Sequence, residues 1–330
     1  MIVISKWIFL AVTLIIGSTV LANASSTNSS GGGLRLTIVY DNNYYDPRLR
    51  TGWGFSCVVE LNGTAILFDT GGDPDLLVEN MAKLDVNISK IQIVVLSHIH
   101  GDHVDGLPGI LEINPEVEVY VPVSFPTSFK AEIEAYGSEV IEVENATTIR
   151  SNVMTTGEFS TGSCARTIEQ SLIVKTVKGV IVITGCAHPG VVDIVRETME
   201  LVDDRIYLVI GGFHLVEYTE NSVSYVVDQL RDLGVVKVGP CHCSGDLARN
   251  IFADSYGDNY VEVGVGKIIE IRMCNDLNDD GAVNTADLLV MANAFKSHPS
   301  HEKWNLLADT DNNDFINIID IAKVAIEYGS

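Results

Sequence analysis

The chain predicts a layered α/β domain followed by a small all-α module, on three observations. Short β-rich runs alternate with helix-period stretches from Leu34 to about Met273. Histidine, cysteine and aspartate recur just after those β-rich runs. Beyond Cys274 the composition turns abruptly to acidic loops, each leading into an apolar-periodic helix. A length of 330 residues accommodates about two domains with a full hydrophobic core.

The elements follow in chain order. Lys6, the apolar stretch Trp7 to Leu21 and the small-x-small site Ala22-Asn23-Ala24 read as a cleaved export signal over 1–24, with an uncleaved membrane anchor as the alternative. Residues 25–33, SSTNSSGGG, form a flexible spacer. The α/β domain spans 34–273. Strands are expected at Leu36–Tyr40, Ser56–Leu61, Ala65–Phe68, Ile93–Leu96, Val117–Val121, Ser171–Thr176, Val180–Thr184, Ile206–Ile210, Val235–Val238 and Lys267–Ile271. Helices are expected at Asp75–Leu84, Val104–Ile113, Pro126–Tyr136, Val191–Leu201, Ser222–Leu233 and Ser244–Phe252. The last module occupies 274–330.

A net charge of −23 excludes sequence-independent nucleic-acid binding, which needs clustered Lys and Arg, and disfavours docking on anionic lipid. Six cysteines stand at 57, 164, 186, 241, 243 and 274. Cys186 and the run Cys241-His242-Cys243 read first as residues at the rim of a site and second as disulfide partners. Asn62, Asn87 and Asn145 open glycosylation sequons, which matter only if the protein is exported.

The run Ser97-His98-Ile99-His100-Gly101-Asp102-His103 follows the apolar stretch Ile91 to Leu96. Imidazole and carboxylate at this spacing are ligands for Zn²⁺, Fe²⁺ or Mn²⁺. His98 and His100, two apart on extended backbone, can face one ion, while Asp102 and His103 can face a second. The bland alternative is a cluster of solvated histidines in a surface turn. Asp69, His188, His214 and His242 lie after other strands, as expected if distant ligands are gathered at strand ends.

The motifs LFDTG (Leu67–Gly71), SHIHGDH (Ser97–His103), ITGCAH (Ile183–His188), GGFH (Gly211–His214) and PCHCSG (Pro240–Gly245) resemble, in order, those of the metallo-β-lactamase superfamily. The closer match is to its branch of ribofuranosylaminobenzene-phosphate synthase-like proteins linked to methanopterin biosynthesis. The resemblance implies a four-layer αβ/βα sandwich with a metal centre at one edge of the two sheets. It carries His98, His100, Asp102 and His103 directly onto the histidine motif, and His242 onto the last metal histidine. The middle of the pattern departs: Cys186 and His188 stand where the better-known hydrolases carry a bridging aspartate, and Glu169-Gln170 replaces an expected histidine. His188 then supplies the missing imidazole, and Cys186 or Glu169 takes the bridging role. His214 is a ligand, a substrate contact or a capping histidine. One or two ions remain open.

Such an ion brings the pKa of bound water down to about 7 and polarises a phosphoryl or carbonyl oxygen. Asp102 is expected to ligate and to orient the nucleophile, Asp69 to accept from a ligand histidine, and His214 to give a proton to the leaving group. Gly211 and Gly212 are expected to offer N–H groups to an anionic substrate. The alternatives are a redox centre rimmed by Cys186, Cys241 and Cys243, or a domain that binds metal or ligand without turnover.

The C-terminal module carries two twelve-position calcium loops. In the first, Asp276, Asn278 and Asp280 take positions 1, 3 and 5, Gly281 the turn, Ala282 the backbone carbonyl and Asp287 position 12. In the second these are Asp309, Asp311, Asn313, Asp314, Phe315 and Asp320, with Asp314 where glycine is preferred. Helices are expected at Ala286–Phe295 and Ile319–Tyr328. Tandem loops of this kind, each followed by one helix, resemble dockerin modules, which implies two Ca²⁺ ions and attachment to a cohesin-type domain on a scaffold or cell surface. The expectation is therefore an exported, extracytoplasmic hydrolase of a phosphorylated or ester-containing small molecule, since the branch's pterin pathway operates inside cells.

Overall fold

Seven strands of one sheet and six of another form the scaffold of a computed structural model. It describes residues 33–160, 167–271, 275–278, 280, 282–311 and 313–329. The expected leader, the spacer apart from Gly33, Cys164, Cys274 and Gly281 lie outside the described residues. Contacts divide the chain into two compact units, one of Gly33–Ile271 and the other containing the residues from Asn275 onward.

In the larger unit the strands run β1 (Leu34–Tyr40), β2 (Ser56–Leu61), β3 (Thr64–Phe68), β4 (Ile93–Val95), β5 (Glu118–Pro122) and β6 (Glu139–Val143). There follow β7 (Asn145–Arg150), β8 (Val153–Gly157), β9 (Leu172–Thr176), β10 (Gly179–Thr184), β11 (Ile206–Gly212), β12 (Lys237–Cys241) and β13 (Ile268–Ile271). The first sheet is ordered β13-β1-β2-β3-β4-β5-β6 and the second β12-β11-β10-β9-β8-β7. Strands β3 to β6 are parallel neighbours, as are β10, β11 and β12. Parallel neighbours need crossovers, and helices supply them. α1 (Pro74–Lys83), the pair α2 (Gly101–Val104) and α3 (Leu107–Leu111), and α4 (Thr127–Tyr136) serve the first sheet. α5 (Val191–Val202) and α6 (Glu220–Asp232) serve the second, with α7 (Gly245–Tyr256) after β12.

Each sheet is apolar on both faces. Val94 and Val119 pack with Leu77, Met81 and Ile110 of the helices, while Ile93 and Val95, pointing the other way, are equally buried. Val182 and Val209 pack with Ile194, Val223 and Phe252, and Ile181 and Ile183 are buried on the opposite side. Helices therefore cover one face of each sheet, burying strand residues that read as continuous hydrophobic runs.

Several boundaries differ from expectation. Gly106 and Pro108 interrupt the expected helix Val104–Ile113, leaving the short α2 and α3. Strand Val235–Val238 shifts to β12, an edge strand that tolerates Pro240 and carries the chain directly to His242. β6, β7 and β8 were not expected at all. β6 and β7 close the ends of the two sheets, and their half-exposed, polar residues lack a strong alternating signal.

In the smaller unit, α8 (Thr285–Ala294) and α9 (Ile318–Ile326) share a core of Leu277, Val283, Met291, Ile316, Ile321 and Val324. Both helices open on an identical capping box. Asn284 pairs with Asp287 in one and Asn317 with Asp320 in the other. Asp314 adopts the left-handed turn itself, with φ of 60°; aspartate is among the few side chains that tolerate this conformation. Among the described residues no helix is long and apolar enough to cross a membrane.

Candidate metal centre

The C-terminal ends of the parallel strands converge, and the loops leaving them carry the site. β3 ends at Phe68, and Asp69 turns the chain with φ of 55°. β4 delivers His98 to His103, β10 delivers Cys186 and His188, β11 delivers His214, and β12 delivers His242 and Cys243. Gly185 lets the two sheets' strand ends meet, because a Cβ there would lie 2.1 Å from Ser97 Oγ and 2.7 Å from Asp69 Oδ2. Ligands from opposite sheets can share one centre for this reason.

His98, His100 and His188 form one group whose ligand atoms all lie within 4.8 Å of one another, and His103, Cys186 and His242 form a second. The two groups share the strand-end edge: the His98 ring centroid lies 4.2 Å from that of His103. Asp102 Oδ2 stands 3.3 Å from His242 Nε2 and 3.6 Å from His103 Nε2, so this half-buried carboxylate joins the second group. Its pKa lies below the ordinary range; burial opposes this, and its close contacts with the His242 and His103 rings outweigh it.

Behind the ligands, hydrogen bonds fix which ring nitrogen points forward. Asp69 Oδ2 accepts from His103 Nδ1 at 2.7 Å and from the Ser97 hydroxyl at 2.7 Å. With its proton committed to Asp69, Ser97 Oγ accepts from His98 Nδ1 at 2.8 Å. Asn42 gives an N–H to the His242 carbonyl, which turns its Oδ1 to accept from His242 Nδ1 at 3.0 Å. Glu169 Oε2 accepts from His188 Nδ1 at 3.0 Å. In each of these four rings Nδ1 carries the proton and Nε2 presents a lone pair.

The donor set tests whether a metal fits. His103 Nε2 and His242 Nε2 lie 3.2 Å apart, with the Asp102 carboxylate beside both. Two lone pairs and a carboxylate at this separation repel unless a cation lies among them. His98 Nε2 likewise lies 3.1 Å from His100 Nδ1. Burial, with the neighbouring His103, pushes the His98 pKa well down, keeping it the neutral imidazole a metal requires. The residues therefore fit two divalent ions, with nitrogen donors at the first position and mixed N, O and S donors at the second.

Several expected roles change. Glu169 is not a bridging ligand. Its Oε1 accepts from the N–H groups of Gly185, Cys186 and Ala187, and its Oε2 from the N–H and ring of His188, which occupies both oxygens. The pKa of Glu169 is depressed: burial opposes this, but the hydrogen bonds it accepts from the ring and the N–H of His188 outweigh it. Asp69 is fully buried behind His103 and is a positioning residue rather than a catalytic one. Gly212 spends its N–H on the Gly185 carbonyl and is not poised to meet a substrate, while Gly211 sits in the sheet between Thr184 of β10 and Pro240 of β12. Cys241 is buried away from either ligand group.

His214 joins neither group. Its Nδ1 lies 3.1 Å from Cys186 Sγ and its N–H donates to Cys243 Sγ at 3.3 Å, making a third cluster of Cys186, His214 and Cys243. The hydrogen bond to Cys243 raises the Cys186 pKa, and burial adds to it. Cys243 moves down: burial opposes, and its bonds from Cys186 and His214 outweigh it. The sequence reading missed Asp41 and Asn42, which anchor His242, and Trp53, whose ring centroid is 5.0 Å from that of His242. Asp41-Asn42 directly follows β1, the same strand-end placement that marked the other motifs. Beside His188 and His214 opens a cleft of about 570 Å³, lined further by Tyr218, Tyr225, Arg196 and Gln229.

In the smaller unit, Asp309, Asp311 and Asp320 bring carboxylate oxygens within 4.8 Å of one another. Asp320 Oδ1 accepts from the Thr310 N–H and Oδ2 from that of Asn317; Asp287 holds Leu277 and Asn284 in the same way. Asp280 accepts from the Ala282 N–H and the Asn278 side chain. Asn313 accepts from the Phe315 N–H. Asp276 is buried.

Comparison with known proteins agrees with this geometry. The model of the metallo-beta-lactamase superfamily matches residues 54–242. A Methanocaldococcus jannaschii protein named 7,8-dihydropterin-6-methyl-4-(beta-D-ribofuranosyl)-aminobenzene-5'-phosphate synthase is 30% identical over 262 residues, covering 66% of this chain and 89% of its own length. A solved metal-dependent hydrolase of the beta-lactamase superfamily is 27% identical, with a TM-score of 0.61, and covers 72% of this chain and 99% of its own. A diphosphatase of the PhnP family shares the fold at 16% identity and a TM-score of 0.50, covering 73% of this chain and 98% of its own. The β-rich alternation, the HxHxDH run and the convergence of histidines at one sheet edge thus have a common origin: the chain belongs to the metallo-beta-lactamase superfamily.

Proposed function

We propose that the larger unit is a metal-dependent hydrolase of a phosphorylated or ester-containing small molecule. The observation that carries this reading is the set of four imidazoles whose Nδ1 atoms are each held by an acceptor so that Nε2 points into one space. Bound divalent ions supply Lewis acidity there, making water acidic enough to attack at neutral pH. His98, His100 and His188 would hold one ion, and His103, His242, Asp102 and Cys186 the other. Asp102, kept ionised, accepts a hydrogen bond from the attacking water and orients it. His214 lines the cleft, and with Nδ1 against Cys186 its Nε2 is the atom that gives a proton to the leaving group.

A phosphorylated substrate is favoured by the phosphate in the name of the Methanocaldococcus jannaschii relative and by Arg196 in the cleft. The test is turnover of a panel of phosphomonoesters, phosphodiesters and carboxylic esters by protein loaded with Zn²⁺, Mn²⁺ or Fe²⁺. Turnover of one class, reduced to background by His98→Ala, supports the proposal. A colourless, zinc-loaded protein inert on every class sinks it in favour of ligand binding without turnover.

A second reading concerns the smaller unit, which we propose to be a calcium-ordered, dockerin-like docking module on an exported protein. Asp311 Oδ1 is buried with no hydrogen-bond partner, beside the carboxylates of Asp309 and Asp320, which suits a hard cation. Partner capture on a cohesin-type domain that is abolished by EDTA and restored by Ca²⁺ supports this reading, and capture that ignores EDTA counts against it.

A further inference from the structure

Cys186 and Cys243 come from strand ends that are not neighbours. Cys186 follows β10 and Cys243 follows β12, with β11 between them in the sheet. Their side chains meet because β11 ends in Gly212: a Cβ at that position would lie 2.7 Å from Cys243 Sγ and 3.2 Å from Cys186 Cα. The two sulfurs stand 2.9 Å apart, inside ordinary van der Waals contact, and both thiols are free. A disulfide needs about 2.05 Å between sulfurs, so closure draws the two sulfurs together by about 1 Å. His214 flanks the pair, its ring on one sulfur and its N–H on the other, and it also lines the open cleft.

We propose that Cys186 and Cys243 are a reversible oxidation site, whose disulfide withdraws the sulfur of Cys186 from the second metal position. The oxidant is a hydroperoxide. Cys243 sulfur attacks one peroxide oxygen, the O–O bond breaks, and hydroxide leaves, taking the Cys243 thiol proton to become water. Cys186 sulfur then attacks the resulting sulfenic sulfur; the S–O bond breaks and hydroxide leaves, becoming a second water with the Cys186 proton in the metal-free site, or with a proton from solvent where Cys186 is a deprotonated ligand. The net change is two thiols and one hydrogen peroxide to one disulfide and two waters. Two thiols reverse it by exchange. The consequence for the metal rests on the reading of Cys186 as a ligand; the bond itself does not.

The experiment uses the full chain, reduced and loaded with zinc, then treated with stoichiometric hydrogen peroxide, alkylated and digested with trypsin. The expected result is a peptide containing Cys186 linked to the peptide Val238–Arg249, with fragmentation placing the bond at Cys243 rather than Cys241. Zinc content falls from two equivalents to one, and dithiothreitol reverses both changes. The link persists in Cys241→Ser and is lost in Cys243→Ser, which keeps two zinc ions after peroxide. Fragmentation of the wild-type peptide decides the matter even if Cys243→Ser fails to fold. Oxidation of either sulfur to sulfinic acid without a link, or a link to Cys241, overturns the site. A Cys186–Cys243 link that leaves both zinc ions in place overturns the withdrawal of the ligand. Failure to hydrolyse any substrate leaves the mass of the linked peptide untouched, so the two proposals fail separately.

Discussion

The two sheets support the metal site with buried carboxylates that work in opposite ways. In the first sheet Asp69 holds ligands: it grips His103 directly and His98 through Ser97, and receives one backbone N–H, from Ser97. In the second sheet Glu169 holds a loop: four consecutive backbone N–H groups, from Gly185 to His188, converge on its carboxylate, and only then does it orient one ring. Burial raises the pKa of Asp69, against the pull of His103. For Glu169 the balance tips the other way and the carboxylate is stabilised as an anion. The comparison teaches that an orienting carboxylate can bond mainly to ligand side chains on one side of a site and mainly to backbone on the other.

Glu169→Ala separates the two most sharply. It orphans four backbone donors together with the His188 ring, and the expected loss is about 3–5 kcal/mol of unfolding free energy. Urea unfolding measures it, and a loss below about 1 kcal/mol would erase the contrast with Asp69.

Acid titration sharpens the same contrast. The folded pKa of Glu169 is depressed, so its stabilisation is fully present above an unfolded value of about 4.3 and is lost as pH falls through the folded value. Asp69 has the opposite sign, because its raised folded pKa makes acidification relieve the cost of burying its charge. The urea midpoint of the wild type is expected to fall below pH 4.3, and that of Glu169→Ala to fall less steeply; parallel curves would show that Glu169 is not held as an anion.

Asp69→Asn acts on metal instead. An amide N–H in place of Oδ2 donates to His103 Nδ1 and forces the ring proton onto Nε2, the atom needed at the second position. Zinc affinity at that position should drop by about 10–100-fold, read by competition with a chromophoric chelator, with stability changed less than in Glu169→Ala. Ser97→Ala is the mildest. It removes the hydroxyl between Asp69 and His98 and should weaken the first position by about 10-fold or less, leaving the second unchanged.

How far the site was legible follows the same divide between the sheets. His98, His100, Asp102 and His103 sit within one loop after β4, so their spacing exposes them without any knowledge of the fold. His188 and His242 were found by their place after strands. In the sequence Cys186 and Glu169 stand as alternatives for one role, because a glutamate sixteen residues before a loop gives no sign that it collects that loop's N–H groups. Asn42 and Asp41 were missed since a single amide or carboxylate after a strand has no metal signature of its own.

By itself the sequence determined the alternation of strands and helices, the repeated acidic loops of the smaller unit with a helix after each, and the metal-binding run, all local in periodicity or spacing. Tertiary structure alone decided the pairing of ligands into two groups, the forward-facing ring nitrogens and the meeting of Cys186 with Cys243 across Gly212. Hydrogen bonds and close approaches between residues up to about two hundred positions apart set these features, and no local pattern encodes distances across a sheet edge.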